Sequence, residues 1–239
     1  MKNHHVYLVT GGAHRLGLAI SEALLENGDR VIATWHTDRQ EAESFLSRHP
    51  ASAGIVQADF SQPQTMGTLF SEALAWFGRI DGIVNNASSF SPKTVEDCGI
   101  EDVRMMLDIH ASSPLLLAQA FYRWVTDQHR QGAVVNITDS HADSGFGRKV
   151  PYLLGKASLA SETRILAKAL APSIRVNAVA PGFVLPQAGE EELFAKQHDL
   201  LPLGKTGTVQ DVTAAVLYLL DASFVTGETI HVDGGGHLV

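Results

Sequence analysis

The chain has a single cysteine, Cys98, in 239 residues. One thiol excludes a disulfide framework within the chain. No apolar run approaches the ~20 residues of a membrane-spanning helix, which predicts no membrane partner. Basic residues are few: 18 Lys and Arg stand against 26 Asp and Glu, for a net charge of −8. An acidic chain without a basic stripe argues against nucleic acid as a partner. The 11 histidines never adopt a metal-binding spacing such as H-E-x-x-H, so no metal site is expected. There is no linker, low-complexity run or internal repeat to divide the chain. The opening MKNHHVYLVTGG is expected to enter a strand at once, which predicts no signal peptide. These absences together favour a cytoplasmic enzyme or binding protein.

What is present is a 45% hydrophobic chain. Its length suits one globular domain spanning residues 1–239, able to bury roughly 70–75% of its unfolded surface. Strands are predicted at Val6–Thr10, Arg30–Trp35, Gly54–Ala58, Ile80–Asn85, Gly132–Thr138, Ser173–Ala178 and Thr229–Val232. Helices are predicted at Arg15–Glu26, Asp38–Ser47, Pro63–Phe77, Asp102–Gln128, Pro151–Leu170 and Val209–Leu220, the fourth bending near Pro114. Alternating strands and helices imply α/β architecture, with about seven strands in a doubly wound parallel sheet and helices on both faces. The strands are continuous apolar runs, as a sheet covered on both sides requires. Ligands of such sheets bind beyond the carboxyl ends of the strands. Gly11, Asp59, Asn86, Asp139 and Gly182 all follow a strand and so point to one cleft.

Thr10–Gly17 joins the first strand to the first helix. Glycines there let the backbone approach a pyrophosphate, and the helix N-terminus supplies amide donors. Gly11, His14, Arg15 and Leu16 are therefore candidate cofactor contacts. The end of the second strand distinguishes the two nicotinamide cofactors, because an acid binds a ribose 2′-hydroxyl and a cation suits a 2′-phosphate. It reads Ala33-Thr34-Trp35-His36-Thr37, with no acid before Asp38. His36, Thr37 and Arg39, with His14 or Arg15, favour NADPH; His36 and Arg39 can equally be solvated residues at a helix start. Asp59 either touches the adenine or caps the next helix.

Tyr152 and Lys156 lie four residues apart, on one helix face. An ammonium beside a phenol favours the phenolate, so Lys156 is expected to lower the pKa of Tyr152. That would make the tyrosine a proton donor and acceptor near neutral pH. Asp139, in the preceding loop, is the third member.

Thr10–Gly17, Asn85-Asn86-Ala87, Tyr152–Lys156, Arg175–Gly182 and Asp233-Gly-Gly235 together resemble the short-chain dehydrogenase/reductase family. The resemblance covers nearly the whole chain. It implies a Rossmann-type sheet, a nicotinamide cofactor and a homotetramer built through the helix Pro151–Leu170 and the C-terminal segment. It implies that Lys156 holds the nicotinamide ribose, that Asn86 and Ala87 line the cofactor channel, and that Pro181, Gly182 and Val184 abut the carboxamide.

Three positions depart from the family pattern. Arg15 replaces the third glycine of the turn, Asp139 the usual serine, and His110 the usual asparagine. The first two, with Asn86-Ala-Ser-Ser-Phe90, are similar to pteridine reductases. Ile109-His110, Pro114 and the segment Phe224–Leu238 are similar to bacterial dihydromonapterin reductases. That likeness implies NADPH-dependent reduction of dihydropterins to tetrahydropterins, with dihydrofolate a further candidate. Arg15, Ser88, Phe90, Asp139 and Tyr152 would bind the pterin, and residues 186–201 would cover it. An imine nitrogen can take a proton relayed from a carboxylic acid, provided the Asp139 pKa is raised. Each residue has a plainer alternative: Phe90 as loop packing, Arg15 as a surface cation, Asp139 as a turn cap. His110 either relays protons near neutral pH or holds a structural water. The rivals are a carbonyl or 3-oxoacyl thioester reductase and a nonenzymatic NADP(H) sensor.

Overall fold

A computed structural model describes residues 4–142, 147–186 and 198–239. Seven strands form one parallel sheet: β1 (Val6–Val9), β2 (Arg30–Trp35), β3 (Ala53–Gln57), β4 (Gly82–Asn85), β5 (Gly132–Ile137), β6 (Ile174–Pro181) and β7 (Thr229–Val232). Their order is β3-β2-β1-β4-β5-β6-β7, with all pairs parallel. The helices are α1 (Arg15–Glu26), α2 (Arg39–Arg48), α3 (Met66–Phe77), α4 (Ile100–Leu107), α5 (Ser113–Asp127), α6 (Val150–Ala169) and α7 (Val209–Asp221). The doubly wound parallel sheet expected from the sequence is thus the fold.

The period-2 geometry of a strand divides the core into two layers. In β1, Val6 and Leu8 pack with Phe70 of α3, Leu117 and Phe121 of α5, and Leu166 of α6. Tyr7 and Val9 face the other way, toward Ile20 and Leu24 of α1, Phe45 of α2, and Val212 and Leu219 of α7. Phe121 is fully buried, and truncating such a ring to alanine costs about 3–5 kcal/mol. A buried polar chain crosses one layer: Asn85 Nδ2 donates to Asn136 Oδ1 at 2.8 Å, and Asn136 Nδ2 donates to Thr163 Oγ1 at 2.9 Å.

Several element boundaries differ from the sequence reading. β6 runs on to Pro181, carrying its end to the cleft. The long central helix starts at Ile100 and is broken by a π-helical turn, Asp108–Ser112. The irregularity expected near Pro114 is this π-helical turn, just upstream of the proline. Proline lacks an N–H and its ring crowds the carbonyl four residues back, here that of His110. A widened turn accommodates both.

Strand order reverses between β1 and β4, and ligands of such sheets sit at this switch point. The loops after β1, β2, β3, β4 and β5 converge there.

Candidate active site

A cleft of about 910 Å³ lies at the switch point. Its walls include Gly11, His14, Arg15, Leu16, His36, Thr37, Asp59, Asn86, Ala87, Ser88, Phe90, Tyr152, Lys156 and Pro181. Among the described residues, most of the candidate positions therefore meet in one cavity. Gly182 and Val184 do not line it. A Cβ on Gly182 would lie 2.7 Å from that of Asp233, and Val184 packs against Gly207. Asp139 reaches the cleft through its hydrogen bond to Tyr152.

The turn after β1 is a tight cradle. A Cβ on Gly17 would lie 2.0 Å from the Gly11 carbonyl oxygen and 2.6 Å from Asn86 Nδ2. Only glycine lets the helix start approach that closely. Asn86 Nδ2 donates to the Thr10 carbonyl at 2.9 Å, and the backbone N–H groups of Asn86 and Ala87 both donate to Thr10 Oγ1. The Asn86 side chain thus braces the turn. Thr34 Oγ1 accepts from the Gly11 N–H at 2.8 Å. Thr10 opens the Thr10–Gly17 motif, whereas the bracing role of Thr34 escaped the sequence reading, since a threonine at a strand end has no distinctive signature. The pinched backbone and open helix terminus fit a dinucleotide pyrophosphate.

Arg15 holds φ +47°, the left-handed region that glycine favours. It occupies the position where the family pattern places glycine. Its Nη2 donates to the Pro186 carbonyl at 2.8 Å, tying the turn to the segment after β6. The rest of the expected cover, residues 187–197, lies outside the described residues.

At the far end, Asp38 caps α2 by accepting from the Glu41 N–H at 3.0 Å. His14 Nδ1 lies 2.6 Å from Glu41 Oε2. Arg39 Nε donates to Glu43 at 2.7 Å and is absent from the cleft wall, so of the two candidates near the strand end only His36 stands on it. Asp59 caps no helix. Its Oδ1 accepts from Ser61 N–H and Oγ–H, and those bonds hold the carboxyl below its ordinary pKa.

The reacting end overturns the expected proton arrangement. Tyr152 Oη donates to Asp139 Oδ2 at 2.9 Å. Burial first, then the charge and hydrogen bond of Asp139, push the phenol well above its ordinary pKa. The net shift is upward, opposite to the lowering expected from Lys156. The Lys156 ammonium donates to the Ile137 carbonyl at 2.8 Å and lies 5.9 Å from the Tyr152 ring centre. Burial brings Lys156 itself down to about 8, opposed by the charge of Asp139.

The raised Asp139 pKa is likewise corrected. Burial pulls the carboxyl upward, but the hydrogen bonds from His141 and Tyr152 outweigh it and hold it below the ordinary value. The His141 N–H donates to Oδ1 at 2.8 Å, and His141 Nδ1 lies 3.1 Å from the same oxygen. His141 was missed, yet an aspartate two residues before its backbone partner is an ordinary Asx turn. Asp139 is thus a turn cap and a partner of Tyr152 at once.

Phe90 is 36% exposed, with its ring centre 5.4 Å from that of Tyr152. Lys149 Nζ lies 4.9 Å from the Phe90 ring centre, a cation–π contact. His110 is buried and stands perpendicular to Tyr152 at 5.5 Å. Burial, then the Lys156 charge, drive its pKa to about 2. The ring therefore stays neutral across the physiological range instead of titrating near neutral pH.

The family model described as enoyl-(acyl carrier protein) reductase matches residues 11–237. The chain belongs to the short-chain dehydrogenase/reductase family. A 3-oxoacyl-[acyl-carrier-protein] reductase, FabG of Aquifex aeolicus, is 34% identical, over 96% of this chain and 96% of the relative. A dihydromonapterin reductase of Escherichia coli is 30% identical, over 97% of this chain and 96% of the relative. The crystal structure of FolM alternative dihydrofolate reductase 1 from Brucella canis, complexed with NADP, superimposes with a TM-score of 0.91 at 35% identity, covering 98% of this chain and 95% of that one. Membership makes the chain an oxidoreductase of the short-chain class. Among the described residues, no helix is long and apolar enough to cross a membrane, and no cluster of His, Cys, Asp and Glu could hold a metal.

Proposed function

We propose that this short-chain reductase uses NADPH to reduce 7,8-dihydropterins to tetrahydropterins. The observation that carries the reading is the Asp139–Tyr152 pair at 2.9 Å, set beside the exposed ring of Phe90. A carboxylate that accepts from the phenol keeps Tyr152 protonated, as a proton donor must be before it acts. Phe90 offers a flat substrate an aromatic surface at the same end of the cleft. Arg15 offers a planar fork of donors for a ring carbonyl or a phosphate. Lys156 and the glycine turn would hold the cofactor, which supplies hydride when bound. His36 and Thr37 stand on the wall where a 2′-phosphate would lie, and the NADP complex of the Brucella canis relative supports that choice.

The FabG relative favours a second reading, reduction of a 3-oxoacyl thioester. Asp139 weighs against it, because a carboxylate would repel the oxyanion that forms from a ketone. The deciding assay follows NADPH oxidation with 7,8-dihydromonapterin, dihydrobiopterin and dihydrofolate beside an acetoacetyl thioester. Turnover of the dihydropterins is expected. Turnover of the thioester alone would reverse the assignment, and NADPH binding without turnover of any of them would mark a sensor.

On the same reading the enzyme acts in the cytoplasm, as one domain, and assembles as a homotetramer. An apolar groove on α6 supports assembly, with Leu154, Ile165 and Leu115 of α5 lining it. Light scattering tests the assembly.

A further inference from the structure

Ser88, an expected pterin contact, pairs with His110, and that pairing enters none of the roles above. Ser88 follows β4 and is exposed on the cleft wall. His110 belongs to the π-helical turn and is 1% exposed. Ser88 Oγ lies 2.9 Å from His110 Nε2. The competing acceptor for the hydroxyl, the Ser89 carbonyl, is at 3.5 Å, too long to compete.

The imidazole is fixed in its slot. Its ring stands at 88° to Tyr152. A Cβ on Gly155 would come within 2.7 Å of His110 Nδ1 and 2.8 Å of the Met106 carbonyl oxygen, so α6 closes the slot with a residue that has no side chain. Nδ1 and the Met106 carbonyl oxygen thus both border the Gly155 position, and Nδ1 makes no fully formed hydrogen bond. Lys156 and Tyr152 of α6 are the charged and titratable groups beside the ring.

This surrounding selects one tautomer. A neutral imidazole has one N–H and one bare nitrogen. With that carbonyl oxygen beside Nδ1, a bare nitrogen there would set two lone pairs against each other. The hydrogen therefore resides on Nδ1, and Nε2 is the acceptor. Ser88 has one hydroxyl hydrogen, and Nε2 takes it. The remaining lone pairs of Oγ are then directed to the cleft.

We propose that His110 is a positioning residue that makes Ser88 a fixed hydrogen-bond acceptor, so that the cleft favours substrates presenting an N–H or O–H donor at that wall. The tautomer and the acceptor character stand on the geometry alone. The link to substrate rests on the dihydropterin reading, since that heterocycle carries amide and amino N–H groups. An acyl thioester presents no such donor beside its reacting carbonyl.

Two measurements test this on the full-length protein. Long-range proton–nitrogen NMR on histidine-labelled protein should find His110 neutral and Nδ1-protonated from about pH 5 to pH 8, with the Nε2 signal moving in Ser88→Ala. Hydrogen on Nε2, or titration within that range, would overturn the proposal. In the second, Ser88→Ala and His110→Asn should each raise the KM for the dihydropterin roughly tenfold, the scale of one hydrogen bond. The kcat should fall less than about threefold and its pH profile should keep its shape. The double variant should be no worse than either single one, because the two residues act as one unit. Multiplying losses, or a kcat collapse with a changed pH profile in His110→Asn, would overturn it. Should His110→Asn fail to fold, His110→Gln supplies the same cycle. The NMR arm needs no substrate, so a failed dihydropterin reading and a failed tautomer are told apart.

Discussion

Tyr152 gives its hydroxyl hydrogen to Asp139 Oδ2 across 2.9 Å, while Lys156, one turn further along α6, gives its own to the Ile137 carbonyl at 2.8 Å. Burial and the aspartate together set the direction of the tyrosine's shift. Its raised pKa keeps the proton on oxygen until substrate and cofactor change the surroundings.

Replacing Asp139 by serine removes both contributions of the carboxylate to that raised pKa. The phenol pKa should fall in Asp139→Ser, read by ultraviolet difference titration. The kcat for dihydropterin reduction should drop on the order of 10²-fold, the lower end of a general acid–base contribution, with a smaller change in KM. An unchanged kcat would remove Asp139 from the reaction.

Tyr152→Phe deletes the donor and keeps the ring against Phe90 and His110. Turnover should fall by about 10²–10⁴-fold, while NADPH affinity, measured by fluorescence titration, stays near wild type. A variant retaining near-full rate would sink the role given to Tyr152.

Lys156 makes a pH-dependent expectation. Its pKa in the fold is about 8, below its value near 10.4 in an unfolded chain. Between those two values the unfolded chain binds the additional proton, so folding stability rises with pH through that window. Below about pH 8 both states carry the charge and the whole burial cost is present. Lys156→Met lacks this dependence. The stability of wild type relative to the variant should therefore improve by about 1.4 kcal/mol per pH unit between about pH 8 and pH 10. Urea melts at stepped pH measure the gap, and a gap constant with pH would contradict a charged, buried Lys156. Activity should also fall above about pH 8 as the ammonium is lost.

Much of this site was legible in the sequence because strand ends and helix starts are marked by composition. Apolar runs ending in Gly11, Asn86 and Asp139 mark the cleft in the sequence itself. What stayed hidden depends on third partners. That Asp139 would be held down by His141, and that Lys156 would turn to the Ile137 carbonyl, follow from loop geometry that spacing alone does not encode. The i, i+4 relation of Tyr152 and Lys156 fixes a shared helix face, yet leaves open which atom each polar group reaches. The same holds at the cofactor end, where Arg39 was a candidate until its position four residues before Glu43 gave it an ion pair within α2.

Arg15 provides the sharpest separation of stability from function. Its φ of +47° costs a residue with a side chain about 1–2 kcal/mol relative to the right-handed alternative, and glycine adopts it without that cost. Arg15→Gly should therefore be neutral or stabilising by up to about 1 kcal/mol, since glycine also loses more freedom on folding. For a chain of this size that is a Tm rise of roughly 2–4 °C. The same change deletes the hydrogen bond to Pro186 and the guanidinium on the cleft wall. The KM values for dihydropterin and NADPH should then rise, with Tm unchanged or higher. Backbone strain of this kind persists where the surrounding structure holds it, and it clusters at functional sites. A variant that loses stability and keeps both KM values would make Arg15 a structural tie between the turn and the segment after β6.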